Sequence, residues 1–184
     1  MAECSLNYIT KEEEILNQVC GVIDLDGYLI KKTFTVREMG WCNYKCTETY
    51  SYHYFPANPF PKDDVKACQT ITYVYNRVHG LAYYPKYRCR SPKRWENDFL
   101  NIYEKQPKDR PFVAYKGGHL EKDFLKRLGI PSINLELFGC PKFDDMTRLQ
   151  TITSCGHHLH PSRHHCPKVE CFHFIKWMLN NLIK

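Results

Sequence analysis

The sequence predicts an α/β domain: a mixed β-sheet flanked by helices. Three observations lead there. Segments rich in β-branched and aromatic residues, "GVIDLDGYLI" and "KTFTVREMGW", come first. Segments with apolar residues at helical spacing, "RWENDFLNIYEK" and "GGHLEKDFLKRLG", come later. Short apolar runs, "PFVAY" and "SINLEL", alternate with those helices, and strands alternating with helices build an α/β sheet. The 184 residues can bury a sizeable core, and no Ser/Gly/Pro linker, internal repeat or low-complexity tract divides them. Residues 1–184 therefore read as one domain.

In chain order, residues 11–19 are too polar to assign. Residues 21–30 read as a strand, with Val22, Ile23 and Leu25 apolar and Gly27 expected to end it. Residues 32–41 read as a second strand, paired with the first through a short turn. Residues 41–66 look irregular, apart from a strand within "TYSYHYF". "DDVKACQTITYVYNRVHG" is expected to be helical at its start. Residues 94–105 read as a helix, 111–115 as a buried strand, 117–129 as a helix closed by Gly129, and 132–137 as a strand. From Pro167 the chain reads as a helix, with a stripe of Cys171, Phe174, Ile175, Met178 and Leu182.

No apolar run reaches the ~18 residues of a spanning helix, so no membrane partner is expected. "MAECSLNYITKEEE" has neither a basic nor an apolar leader region and does not read as a signal peptide. Ten cysteines could form a disulfide framework. In a chain with a core of its own and no export signal they read better as reduced thiols, some of them metal ligands, in cytoplasm or nucleus. The formal net charge of +6 favours a polyanionic partner. "YYPKYRCRSPKRW" sets Arg88, Arg90, Lys93 and Arg94 among aromatic rings. Such a mixture can hold phosphates and stack bases, or it can be a solvated loop.

Several carboxylates carry chemistry. Asp24 and Asp26 are two apart on a strand, so both leave the same face. Their repulsion is relieved if cations sit between them. A hairpin turn at Asp26-Gly27 would explain Asp26 but not Asp24. In the helix at 119–128, Leu120, Phe124, Leu125 and Leu128 form the apolar stripe. At ~100° per residue Glu121 projects within that stripe, while Asp123 points away. Glu121 is thus either a third site acid or a side chain snorkelling at the stripe's edge. The last helix begins within "HHCPKVEC", where His165 precedes Glu170 by five residues. That pair can point at one centre.

The order of these motifs resembles the DEDDh 3′–5′ exonuclease family of the ribonuclease H-like fold. An acid-x-acid strand is followed by "VREMG", then "RVHGL", then "FVAYKGGHLEKDFLKRLGIP", then "HCPKVEC". The resemblance covers roughly residues 20 to 183 and implies an active site of Asp24, Asp26, Glu121, His165 and Glu170. The four acids would hold Mg2+ or Mn2+, and His165 would serve as general base. Asp26 stands where the family has Glu, Glu121 and Glu170 stand where it has Asp, and "KGG" replaces a usual Asn.

The chain's end resembles two zinc-containing relatives more closely, the exonuclease domain of arenavirus nucleoproteins and the Maelstrom domain. It implies a structural zinc on Glu38, Cys155, His158 and Cys166, with Cys155-x-x-His158 at a spacing that suits one ion. Cys42 and Cys46 read as ordinary thiols. The resemblance implies nucleic acid as partner, RNA ahead of DNA. It leaves three readings open: a metal-dependent exonuclease releasing nucleoside 5′-monophosphates, a catalytically inactive Maelstrom-like module that binds nucleic acid, and a protein-interaction domain on the same scaffold.

Overall fold

The computed structural model of the chain describes residues 11–146, 152–160 and 165–183. A mixed five-stranded sheet flanked by helices is its framework. β1 (Val19–Ile30) and β2 (Thr33–Asn43) form a long antiparallel hairpin, and β3 (Thr49–His53) adds antiparallel to β2. β4 (Phe112–Tyr115) lies parallel to β1, and β5 (Ser132–Asn134) parallel to β4, in the order β3-β2-β1-β4-β5. The helices are α1 (Lys11–Leu16), α2 (Val65–Arg77), α3 (Trp95–Tyr103), α4 (His119–Arg127) and α5 (Pro167–Asn181). No helix among the described residues is long and apolar enough to cross a membrane.

Period-two alternation divides β1 between two cores. Ile23 and Leu25 join Met39 and Trp41 of β2, Phe99 of α3 and Phe124 of α4 on one face. Val19 and Val22 join Cys42 of β2 and Cys171, Phe174, Ile175 and Met178 of α5 on the other. The stripe expected on the last helix is therefore its core face. Beyond the irregularity between Val19 and Gly21, the alternation that turns Val22 to the α5 face turns Asp24 and Asp26 there as well, acids in the place of apolar residues.

Two sequence expectations fail locally, for identifiable reasons. Gly27 does not end β1. The strand runs on to Ile30 after a register shift between Asp26 and Gly27. A Cβ on Gly27 would stand 2.1 Å from the Thr35 carbonyl oxygen, so glycine serves close strand approach at a bulge. The turn is made by Lys31 and Lys32, both left-handed at φ 48° and 69°, a conformation two lysines do not advertise. The segment 132–137 keeps strand geometry only to Asn134. The Asn134 side chain then accepts from the Glu136 N–H and starts a 3-10 turn, Leu135–Phe138. α4 ends as expected, with Gly129 at φ 68° and the Ile130 N–H returning to the Leu125 carbonyl.

α5 sits where it does because β2 has no side chain at Gly40. A Cβ there would lie 2.2 Å from the Pro167 carbonyl carbon and 2.4 Å from its oxygen. Both are backbone atoms that cannot swing aside. Gly40→Ala is expected to push the start of α5 off the sheet and lower stability by about 1–3 kcal/mol or more. A thermal melt indistinguishable from wild type would contradict this packing.

Candidate active site and metal centre

The strand register places the acids. Asp24 pairs with Gly40 and Asp26 with Glu38 across β1 and β2, and Glu38 pairs with His53 on β3. Cross-strand partners share a face. Asp26, Glu38 and His53 therefore form a row across three strands, and Asp24 stands above the gap that Gly40 leaves for α5. Glu121 reaches the same region from α4, where its Oε1 accepts the Leu25 N–H at 3.1 Å. It is buried while Asp123 is exposed, as the helical phase predicts. Glu170, in the first turn of α5, is buried as well.

Their titration reflects this crowding. Burial, and then the charges of Glu170, Glu121 and Asp26, hold the Asp24 carboxyl well above the usual carboxylate range. Burial, Glu170 and Glu38 do the same to Asp26, with His158 and His165 pulling the other way. Burial raises Glu121, opposed by hydrogen bonds from its own N–H and that of Leu25. The Oδ2 of Asp26 is buried and accepts no hydrogen bond. An unbalanced group of buried and half-buried carboxylates with a free oxygen suits a divalent cation.

His165 lies at the rim. Its Nδ1 is 2.9 Å from Glu170 Oε1 and its Nε2 3.2 Å from Asp144 Oδ1. The hydrogen bond to Glu170 outweighs burial and lifts its pKa to about 9, with Asp144 adding to the rise. Its place between two carboxylates favours the protonated ring in this arrangement. Asp144 was not recognisable from sequence. It belongs to a 3-10 turn, Phe143–Asp145, with no periodic pattern to aim it.

Beside the acids, Glu38, Cys155, His158 and Cys166 bring one ligand atom each to within 4.8 Å of one another. This four-residue group could hold a metal, and it unites residues from β2, the loop at 152–160 and the N-cap position of α5. The Nδ1 of His158 lies against the His79 carbonyl oxygen, to which it can only donate. That fixes the tautomer and aims the buried Nε2 into the group, 2.9 Å from Glu38 Oε2. His79 is itself held, with Nε2 donating to the Gly27 carbonyl and Nδ1 accepting the Leu81 N–H, each at 3.0 Å. The Cys155 N–H donates to the Cys166 sulfur at 3.4 Å.

Glu38 is fully buried. Burial alone would raise its pKa, but His158, His53 and Ser51 reverse the sign and hold it below the ordinary value. Ser51 donates to Glu38 Oε1 at 2.7 Å and contacts His53 Nε2 at 2.9 Å, and Tyr87 meets His53 Nδ1 at 3.1 Å. Tyr87 also stacks on His157, ring centroids 3.8 Å apart. Ser51, His53 and Tyr87 carry no motif. Only the register of β3 against β2 shows that they support the group.

The basic cluster divides. Arg88 and Lys93 are exposed. Arg90 is committed elsewhere: its Nη1 bonds Asp98 Oδ1 at 2.9 Å and its guanidinium lies 3.8 Å over the Tyr52 ring. Arg94 approaches the same Asp98 oxygen at 3.8 Å. Asp98 is only 4% exposed, so Arg90 balances a buried charge. Tyr52 packs on the α3 side of the sheet, opposite the acids. Arg90→Ala should cost roughly 1–3 kcal/mol by removing the closest ion pair of the buried Asp98, whereas Arg88→Ala and Lys93→Ala should stay within about 0.5 kcal/mol. Urea denaturation of the three variants decides it.

No protein family and no curated protein matches the chain. Among solved structures it is similar to an exonuclease domain of Mopeia virus, in a form fully depleted of manganese. The identity is 13%, the likeness covers 93% of this chain and 85% of that one, and the TM-score is 0.43.

Proposed function

We propose that the chain is a metal-dependent exonuclease of DEDDh type that cleaves RNA or DNA from the 3′ end and releases nucleoside 5′-monophosphates. The observation that carries this is the gathering of Asp24, Asp26, Glu121 and Glu170 midway along the hairpin, where α5 begins. Among the described residues their ion-pair partner is His165, on Glu170. The direction of cleavage and the product are what the resemblance to the DEDDh family implies.

Asp24, Asp26, Glu121 and Glu170 would hold Mg2+ or Mn2+, and such ions supply Lewis-acid stabilisation of a phosphodiester and its attacking water. The protein's own part is positional. The Leu25 N–H fixes Glu121 through its Oε1. Asp144 and Glu170 hold the His165 ring, which is partly open to solvent. For His165 to take a proton from water, it must first give up the proton that it directs at Glu170, after which the neutral imidazole can accept at Nδ1. The second group, Glu38, Cys155, His158 and Cys166, is proposed as a closed structural zinc site. Its thiolates and imidazole match zinc better than magnesium or manganese.

The test is incubation of the pure protein with 5′-labelled single- and double-stranded RNA and DNA, with Mn2+ and with EDTA. A ladder shortening from the 3′ end, lost in EDTA, is expected. A gel shift without cleavage would instead make the chain a binding module with a structural metal. Neither cleavage nor shift would overturn the nucleic-acid reading altogether.

A further inference from the structure

We propose that the cavity between β3 and α3 is a second nucleic-acid contact, which holds a short stretch of single strand on the face of the sheet away from the acids. The inference rests on the nucleic-acid reading above and not on its cleavage step. The cavity has a volume of about 280 Å3, and its lining includes Tyr50 and Tyr52 from β3, Arg90, and Arg94, Asn101 and Lys105 from α3 and its ends. β3 is an edge strand, so the cavity lies at the rim of the sheet. Tyr50 pairs with Trp41 and Tyr52 with Met39. Cross-strand partners share a face, and Trp41 and Met39 belong to the α3-side core. Both tyrosine rings therefore point toward α3 and away from Asp24 and Asp26.

The lining combines flat faces with cations, the two features by which proteins hold single strands. The rings of Tyr50 and Tyr52 are half-buried, with centroids 5.7 Å apart and planes tilted by 32°. Arg90 lies 3.8 Å over the Tyr52 ring and its Nη1 bonds Asp98, yet its side chain stays 39% exposed. A planar guanidinium fixed on one side by a ring and at its edge by a carboxylate offers its other face to a base. Asn101 is exposed on α3, and its amide can both donate to and accept from a base edge.

The charges select a strand over a free nucleotide. Arg90 and Asp98 cancel. Arg94 is 63% exposed and meets Asp98 only at 3.8 Å. Lys105 is exposed, and among the described residues its side chain has no ion pair. These two cations outnumber the one remaining acid of the lining, the exposed Glu48. The helical rise sets Arg94 and Lys105 about 16 Å apart along α3, so each would take its own phosphate, with the tyrosine rings and the Arg90 face between them. A polyanion with flat rings along its length fits that spacing. A free nucleotide reaches one cation only.

The experiment irradiates the whole protein, purified without chelators and with no Mg2+ or Mn2+ added, with an oligouridylate carrying 5-iodouridine, and maps the cross-links by mass spectrometry. A cross-link to Tyr50 or Tyr52 is expected. Fluorescence anisotropy with the same oligomer measures affinity. Tyr50→Leu should weaken binding at least about fivefold, the loss of one base–ring stack. Arg94→Gln should flatten the slope of log affinity against log salt by about 0.7, the loss of one phosphate contact. Arg94 is exposed, so its variant decides the matter if Tyr50→Leu fails to fold. Uridine 5′-monophosphate should compete far less well than the oligomer, and equal competition would overturn the strand in favour of a free nucleotide. Cross-links confined to other residues, or wild-type affinity and salt slope in both variants, would overturn the site. Cross-linking at the tyrosines by a protein that never cleaves with Mn2+ counts against the exonuclease reading alone, and cleavage without that cross-link counts against this inference alone.

Discussion

Asp24→Asn and Asp26→Asn are each expected to reduce nucleic-acid cleavage by at least about 10²-fold, while the metal-free protein stays folded and at least as stable as the wild type. The two halves of this expectation have one cause. Asp24 and Asp26 stand on the α5 face of β1, where Val22 is a core residue, and each is raised by burial and by the other acids. A carboxylate favoured in its protonated form on folding opposes the folded state at neutral pH, where it must ionise. Removing one charge relieves that opposition and removes a cation ligand at the same time. Glu121→Gln should behave alike, because an amide oxygen can still accept the Leu25 N–H that Glu121 accepts now. Asp123→Asn, exposed on the far side of α4, should change the rate by less than a factor of about two. Initial rates and thermal melts, in EDTA and in Mn2+, measure both halves. Full activity in Asp26→Asn would remove the acids from the reaction, and a large loss in Asp123→Asn would move the third acid to the other face of α4.

Much of this was readable from sequence because it depends on local periodicity. Alternation on one strand put Asp24 and Asp26 together, and helical phase separated Glu121 from Asp123. Cys155 and His158 were suggested by spacing. What the sequence hid depends on register between strands and on distant partners. Nothing near His53 or Ser51 says that β3 will lay them against Glu38. The partner of Arg90 was hidden because Asp98, eight residues on, is a buried acid only once α3 packs against the sheet. Gly27 looked like a turn because the bulge that requires it involves Thr35 on the opposite strand.

Cys166→Ser carries the second large expectation: loss of zinc, and of more than about 4 kcal/mol of stability, the scale at which loss of a structural metal stands out among point substitutions. The group it belongs to ties three parts of the fold. Glu38 is fully buried in the central hairpin, His158 is braced on the His79 carbonyl, and Cys166 is the residue from which α5 starts. Without a cation, Cys166 is raised by its hydrogen bond with Cys155 and by burial. The hydrogen bonds to Cys166 and Glu38 overcome burial and push His158 up to about 11. A proton then stands in the place a metal would occupy. Zinc would displace it and fasten the loop at 152–160 to β2, where one proton can bridge only a pair of these groups. Because Cys166 follows His165 and precedes Glu170 by a single helical turn, its loss should also misplace both. Activity should therefore fall in this variant even when Mn2+ is saturating, unlike in a surface variant of equal melting temperature. Elemental analysis of protein purified without chelators gives the decisive number: about one zinc per chain in wild type and a large loss of it in Cys166→Ser. Zinc-free wild-type protein with an unchanged melt would leave the four residues as a hydrogen-bonded cluster only.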